Sequence, residues 1–199
     1  MKLWWYVARA SGIVAWVMLA IAVIWGILLA TRILGRRPRP AWVLDLHRWL
    51  GGLSVAFTGV HLLGLVFDDY VEFGMRELFV PFASEWRPAA VAWGVVAFYA
   101  LVAVQATSLA MKRLPRRLWK WVHLSSFGLF FAATLHAGMA GTDVTNPLYR
   151  FVVGVMVVGV VFFTVYRVAH QAPSGERSAG RRAGVGASTE ELDPVPERV

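Results

Sequence analysis

Five long apolar runs limit what this chain can fold into. They are Trp4–Ala30, Val43–Phe67, Ala89–Met111, Leu118–Met139 and Leu148–Val168. A helix of about 20 apolar residues crosses the roughly 30 Å hydrocarbon layer of a bilayer. The runs occupy most of the 199 residues, of which 58% are hydrophobic. We therefore predict an all-α membrane protein, a five-span transmembrane helical bundle that forms one domain over residues 1–170.

Charged residues between the runs predict the orientation of the bundle. Basic residues cluster after the first run, after the third run and beyond the fifth, whereas residues 68–87 are mostly acidic among their charged positions. Because cytoplasmic loops are enriched in Lys and Arg, we expect the N-terminus outside and the C-terminus in the cytoplasm. The expected location is the bacterial inner membrane. Residues 171–199, rich in Gly, Ser, Pro, Glu and Arg, are expected to form a disordered cytoplasmic tail.

Composition excludes several other classes of protein. The net charge of +8 comes from basic residues at the ends of the apolar runs, and this placement suits an anionic membrane surface better than nucleic acid. The chain has no cysteine, which excludes disulfides, iron–sulfur clusters, thiolate zinc sites and covalently attached c-type haem. Membrane lipid is therefore an expected partner, and nucleic acid is not.

Four of the five histidines lie inside apolar runs, His47 and His61 in the second and His123 and His136 in the fourth. Ionisable residues within a membrane are costly and usually functional. The spacings of 14 and 13 residues separate each pair by roughly 20 Å along a helix. Both runs cross the membrane in the same direction. His47 therefore shares a depth with His123 near the cytoplasmic face, and His61 with His136 toward the outer face.

Two histidines at one depth suit a haem whose iron takes both axial ligands from imidazole. All four are therefore candidate haem iron ligands, and two haem b groups are the expected cofactors. An interhelical hydrogen bond or a proton relay is an alternative for any single membrane histidine. The runs contain almost no acidic residues to support a relay or a divalent-metal site. His170 lies past the last run and is expected to be an exposed cytoplasmic side chain.

The angle between the two histidines around the helix axis differs between the second and the fourth run. The 14 residues from His47 to His61 turn about 1400°, about 40° short of four turns, so these histidines share a face. The 13 residues from His123 to His136 turn about 1300° and leave the two side chains about 140° apart on a straight helix. The fourth span is therefore either bent or locally overwound, or its histidines serve two haems from different flanks.

Other residues could complete a haem site. Haem propionates need cations, and Arg48 at the inner level and Arg9 at the outer level are candidates, with Arg116, Arg117, Lys120 and Arg87 as alternatives. Small residues on the histidine-bearing runs either let a macrocycle approach the backbone or let helices pack closely. They are Gly51, Gly52, Gly59, Gly64, Gly128 and Gly138. Phe130 and Phe131 fall midway between His123 and His136, either between two macrocycles or as ordinary packing.

These residues resemble the ferric reductase-like transmembrane domain over about residues 5–140. That family includes NADPH oxidases, ferric reductases and the membrane haem subunit of the bacterial methionine-sulfoxide reductase system. The string Asp45-Leu46-His47-Arg48-Trp49-Leu50-Gly51 is similar to the family's first ligand helix, and Ala8-Arg9-Ala10 to an oxidase segment with an arginine beside the outer haem. Further similarities lie in Arg87-Pro88, Gly94, Thr107-Ser108, Trp119 and His123. The resemblance implies that His47 pairs with His123 and His61 with His136.

The chain also departs from individual members of that family. No nucleotide-binding fingerprint follows the last span, so FAD or FMN is expected only on a partner protein. Leu65 stands where oxidases often carry a further histidine, and His47 is present where the methionine-sulfoxide subunit tends to lack its counterpart.

These features together predict an oxidoreductase, or a subunit of one. We expect a di-haem b-type cytochrome that moves electrons from a cytoplasmic flavoprotein or quinol to an outer acceptor such as ferric iron, dioxygen or a periplasmic redox protein. A haem-binding anchor subunit of a larger reductase and a haem-free transporter are the alternatives.

Overall fold

The computed structural model describes residues 3–31, 40–68 and 73–170. Its helices are α1 (Leu3–Thr31), α2 (Ala41–Val66), α3 (Met75–Phe79), α4 (Pro88–Leu109), α5 (Arg116–Leu124), α6 (Ser126–Ala140) and α7 (Pro147–His170). Within these described ranges, five segments are long and apolar enough to span a membrane, and α5 with α6 forms the fourth of them. The predicted five-span helical fold is confirmed, with each predicted end within two residues of the observed one. The predicted tail, residues 171–199, lies outside the described residues.

Proline and asparagine define where several helices begin. Pro40 and Pro115 immediately precede α2 and α5, and Pro88 and Pro147 are the first residues of α4 and α7. Proline suits a first turn because the N–H that it lacks would have no partner there. Before α7, the Asn146 side-chain oxygen accepts hydrogen bonds from the backbone N–H groups of residues 148 and 149, at 2.9 and 3.3 Å. Local sequence therefore accounts for these boundaries.

Helix α1 is the centre of the bundle. Its buried side chains Trp16, Leu19, Ala20, Val23 and Ile27 form a core with residues of α4, α6 and α7. Helix α2 packs mainly against α1, and α6 mainly against α4, whereas α2 and α6 have almost no direct packing. The two histidine-bearing spans therefore face each other across the bundle, each supported by a different neighbour.

The fourth span is interrupted at Ser125, between α5 and α6. The Ser125 backbone N–H lies 3.2 Å from the Trp121 oxygen and 3.1 Å from the Val122 oxygen, so the helix is locally tightened. A residue in such a turn rotates by about 120° instead of about 100°. The fourth span is therefore locally tightened, and the added rotation of about 20° covers a small part of the roughly 140° between His123 and His136.

Candidate functional site

The four membrane histidines meet as two pairs. The ring centres of His47 and His123 lie 5.9 Å apart with an interplanar angle of 73°. Those of His61 and His136 lie 6.2 Å apart at 78°. The structure therefore brings together the residues that were expected from the sequence to form pairs. Each pair has one ring from α2 and one from the fourth span.

Hydrogen bonds orient the rings of one pair. Nδ1 of His61 lies 2.7 Å from the Ala8 carbonyl oxygen on α1, and Nδ1 of His136 lies 2.8 Å from the Ala90 carbonyl oxygen on α4. A carbonyl oxygen only accepts, so Nδ1 of a neutral ring must carry the proton. This arrangement leaves the Nε2 lone pair available to a metal ion, as in many metal-binding histidines.

The other pair has weaker anchors. Nδ1 of His47 is buried without a partner of good hydrogen-bond geometry, although the ring interacts with the Ala22 carbonyl. Nδ1 of His123 lies 3.5 Å from the Ser108 hydroxyl oxygen. The His123 ring also stacks on Trp119, with ring centres 5.1 Å apart and planes 20° apart. The two pairs therefore differ in how strongly the Nδ1 atom of each imidazole is hydrogen-bonded.

Glycines on α1 and α4 make room for three of the rings. A Cβ on Gly94 would lie 2.7 Å from His136 Nδ1, one on Gly12 would lie 2.9 Å from His61 Nδ1, and one on Gly26 would lie 3.2 Å from His47 Cε1. Real Cβ atoms essentially never approach within 3.0 Å of another heavy atom. Only glycine therefore lets the His61 and His136 rings lie this close to the neighbouring helix.

Each of these glycines follows the carbonyl that interacts with the same histidine by four residues. The three pairs are Ala8 with Gly12, Ala22 with Gly26, and Ala90 with Gly94. We call such a pair an anchor turn, because residues four apart lie on one helix face. The small residues considered from the sequence as cofactor neighbours all lie on the histidine-bearing helices. The anchor turns on α1 and α4 were not predicted. A usable sign was present, since Gly12 and Gly26 have the same 14-residue spacing as His47 and His61.

The six glycines considered on the histidine-bearing helices have three kinds of surroundings. A Cβ on Gly51 would lie 3.2 Å from the Gln105 side-chain oxygen on α4. A Cβ on Gly52, Gly59, Gly128 or Gly138 would meet nothing within 4 Å, so these positions border open space. A Cβ on Gly64 would lie 2.8 Å from the Ala8 backbone nitrogen. The group without a close neighbour includes Gly128 and Gly138, which are exposed at the bundle surface, whereas Gly64 serves close packing of α2 on α1.

Aromatic residues fill the bundle between the two histidine pairs. Phe130 is buried and stacks on Trp16 with ring centres 5.7 Å apart. The Trp16 indole N–H donates to the Thr134 hydroxyl at 3.0 Å. Phe131 is instead 59% exposed and contacts Trp93 edge to face. Of the two phenylalanines considered from the sequence, only Phe130 therefore lies in the core.

Of the two candidate cations, Arg48 lies on an exposed face of α2. Arg48 forms an exposed ion pair with Asp45 at 3.1 Å. Both side chains border an open surface groove whose other residues, Trp49, Gly52, Leu53 and Ala56, also lie on α2. At about 100° per residue, this groove lies on the helix face opposite His47, so it is separate from the histidine pair.

Arg9 takes part in an ion pair that sequence reasoning did not anticipate. Its guanidinium pairs with Asp143, in the loop before α7, and lies over the Trp5 ring at 4.6 Å from the ring centre. Arg9 directly follows Ala8, whose carbonyl binds His61, so it lies at the depth expected for an outer-level cation. Arg87, the alternative cation, donates to the Met139 carbonyl at 2.6 Å and lies over Trp86.

We expect Arg9→Gln and Asp143→Asn each to lower the free energy of unfolding in detergent by about 1–2 kcal/mol, because each breaks this half-buried ion pair. The apparent Tm should fall accordingly. The double variant should lose no more than the larger single loss, because either change already breaks the same contact. Thermal unfolding of all four proteins tests this. Fully additive losses would show that the two side chains act independently.

Each histidine pair fits the requirements of one haem iron. Imidazole nitrogens bind zinc and similar metals at about 2 Å, so two rings on opposite sides of one ion have centres roughly 6 Å apart. The observed separations are 5.9 and 6.2 Å. Within residues 3–31, 40–68 and 73–170, no group of three or more His, Cys, Asp or Glu side chains could hold a metal ion. Two imidazoles are sufficient for a six-coordinate haem iron, because the porphyrin supplies the other four ligands.

Comparison with known protein families gives one match. A family model described as ferric reductase like transmembrane component matches residues 11–135, which is more than half of the chain. The matched stretch contains His47, His61 and His123 and ends directly before His136, and α7 lies beyond it. No curated protein and no solved structure matches the chain.

Proposed function

Since the chain belongs to the ferric reductase like transmembrane component family, we propose that it is a di-haem b-type cytochrome that carries electrons across a membrane. The observation that supports this most directly is the meeting of four membrane histidines in two pairs of 5.9 and 6.2 Å. Family members generally bind haem, and the two pairs supply axial ligands for two such groups. The spacing along α2 separates the two levels by roughly 20 Å, a large part of the roughly 30 Å hydrocarbon layer.

The residues of the chain bind and orient the cofactor. When bound, haem supplies a one-electron ferric–ferrous couple, which amino-acid side chains lack at ordinary potentials. The two imidazoles of each pair would hold one haem, with the Nε2 lone pairs of His61 and His136 already free for this role, and an iron held by two histidines would have no position left for a small ligand. Such saturation favours electron transfer over ligand binding. The buried aromatic core around Trp16 and Phe130 keeps water out of the space between the levels.

The proposed direction follows the charges at the ends of the spans. With the N-terminus outside, His47 and His123 form the inner pair and His61 and His136 the outer pair. Electrons would enter at the inner pair from a cytoplasmic flavoprotein or from quinol. They would leave at the outer pair to ferric iron, dioxygen or a periplasmic redox protein. Arg48 is the proposed propionate partner of the inner haem, and Arg9 that of the outer haem.

Haem stoichiometry and transmembrane transfer test this function together. We expect protein purified from haem-supplemented cells to contain two haem b per chain by the pyridine haemochrome assay. In sealed vesicles loaded with ferricyanide, external dithionite should then reduce the internal ferricyanide, and vesicles without the protein should not support this reaction. Haem-free protein would contradict the proposal. Haem-loaded protein that never carries electrons inward would contradict the transfer step.

The electron donor needs a separate experiment. A flavoprotein partner predicts that the solubilised protein retains a flavin-containing polypeptide through affinity purification, and that this polypeptide reduces the haem with NADH or NADPH. A quinol donor predicts that purified protein alone is reduced by a soluble quinol analogue. The two results distinguish a subunit of a larger reductase from a cytochrome served directly by the membrane pool.

A further inference from the structure

Three of the four histidines lie against an anchor turn, and the fourth does not. At the position equivalent to Gly12, Gly26 and Gly94, the His123 site has Ser108, four residues after Val104. The Ser108 side chain occupies the space that glycine leaves free at the other three positions. His123 is therefore the one paired histidine whose ring faces a hydroxyl instead of a carbonyl.

The hydrogen bonds around Ser108 explain why this difference matters. The Ser108 hydroxyl donates to the Val104 carbonyl at 2.6 Å, and the Thr107 hydroxyl approaches the same carbonyl at 3.2 Å. The Ser108 proton is thus already used, so its oxygen can only accept from the Nδ1–H of His123. That contact is 3.5 Å long, compared with 2.7 Å for His61 and 2.8 Å for His136.

The strength of this contact changes what the imidazole offers a metal. A strong acceptor at the Nδ1–H raises the basicity of the ligand nitrogen. A more basic axial ligand favours the ferric over the ferrous ion, and second-shell hydrogen bonding is an established control of haem potential. A weak acceptor at His123 therefore shifts its iron toward the ferrous form relative to a carbonyl-anchored ligand.

We propose that Ser108 is a positioning residue that separates His123 from the Val104 carbonyl and thereby raises the reduction potential of the haem at the His47–His123 pair. This inference rests on the proposed function, because it presumes that this pair holds a haem. It assigns to one side chain on α4 the weak hydrogen bond of His123, which is one of the two weakly anchored histidines of this pair. The reduction potential of the inner haem would then depend on Ser108, which acts through His123 and is not itself a ligand.

Two substitutions of Ser108 should shift the potential in opposite directions. Ser108→Gly creates a fourth anchor turn, so the ring can donate to Val104 and the ferrous-to-ferric ratio at fixed ambient potential should fall about three- to tenfold. Ser108→Ala keeps the Cβ but removes the acceptor, so the ratio should rise. A tenfold change is about 59 mV for one electron. Redox titration of each haem, with low-spin electron paramagnetic resonance to identify it, measures the shifts.

Neighbouring variants supply the controls. Thr107→Ala removes a hydroxyl that approaches the same carbonyl but has no contact with His123, so it should leave both potentials unchanged. Ser108→Thr keeps the hydroxyl and should preserve the native value. If Ser108→Gly does not fold, Ser108→Ala still tests whether the contact between residue 108 and His123 affects the potential, and an unchanged potential in that variant would contradict the proposal.

The outcome separates this inference from the function on which it rests. The role of Ser108 would be overturned if both haems kept their native potentials in Ser108→Gly and Ser108→Ala, or if the potential shifted in the same direction in these two variants. Either result would leave the proposed cytochrome function intact. A native protein without haem would instead refute the proposed function itself.

Discussion

Replacing His61 by alanine is expected to remove one of the two haems and leave the other in place. His61 faces His136 at 6.2 Å, and its ring is held by the Ala8 carbonyl at 2.7 Å. Alanine offers no ligand, and no other histidine lies at this level. The pyridine haemochrome assay should therefore give one haem per chain, with the His47–His123 site still low-spin.

The complementary variant gives the mirror result. His47→Ala should remove the haem held with His123 and retain the one held by His61 and His136. The double variant should be free of haem. His170→Ala is the matched control, because His170 lies outside both pairs and its replacement should leave two haems. Unchanged haem content in His61→Ala would remove the basis for the site.

Neither single variant should support transfer across the membrane. With one haem missing, the electron would have to cross in one step a distance that two haems otherwise divide into shorter steps. The vesicle assay should therefore fall to the rate of protein-free vesicles, although the remaining haem is still reduced by dithionite from the nearer side. Transfer at the native rate with one haem would show that the second level is not part of the path.

Gly94→Ala is expected to empty the His61–His136 level although all four histidines remain. The added Cβ would lie 2.7 Å from His136 Nδ1 and 2.8 Å from Cε1, so the ring must move away from α4. That movement also breaks the bond to the Ala90 carbonyl. Overpacking and the lost hydrogen bond together amount to about 2–4 kcal/mol, or roughly thirty- to thousandfold weaker haem binding.

A graded series makes this result specific. The same change at Gly12, where the Cβ would be 2.9 Å from His61, should have a similar but smaller effect. At Gly26, where the distance to His47 is 3.2 Å, the effect should be smallest and confined to the other level. Gly154→Ala on α7 meets nothing within 4 Å and controls for the loss of a glycine in a membrane helix. Equal haem loss in all four variants would point to general destabilisation.

The sequence was sufficient for the spans and for the pairing of the histidines. Span limits follow from where charged residues and prolines interrupt apolar runs, such as Pro88 and Pro147, and these are local properties of the chain. Pairing follows from equal depth on two spans that cross in the same direction. Family membership, expected from the residues around His47, is confirmed by the match over residues 11–135.

The contacts between helices could not be derived in the same way. Whether Ala8 lies beside His61 depends on the rotation and the relative height of α1 and α2, which side-chain packing along the whole interface decides. The Arg9–Asp143 ion pair joins residues 134 positions apart for the same reason. The 13-residue spacing left either a distorted fourth span or an approach from two flanks, and the interruption at Ser125 follows from backbone bonds that the residue types alone do not specify.

The anchors have a consequence for how such a protein is made. His47 and His61 on α2 lie against turns of α1, and His123 and His136 lie against α4, so each helical hairpin orients its own two imidazoles. A hairpin can enter the membrane and set its ligands before the other half is synthesised. With a haem bound at each pair, as proposed, the cofactor would join the two hairpins, and by mass action its availability would stabilise the finished bundle. Supply of haem during biogenesis would thus decide how much protein survives in the membrane.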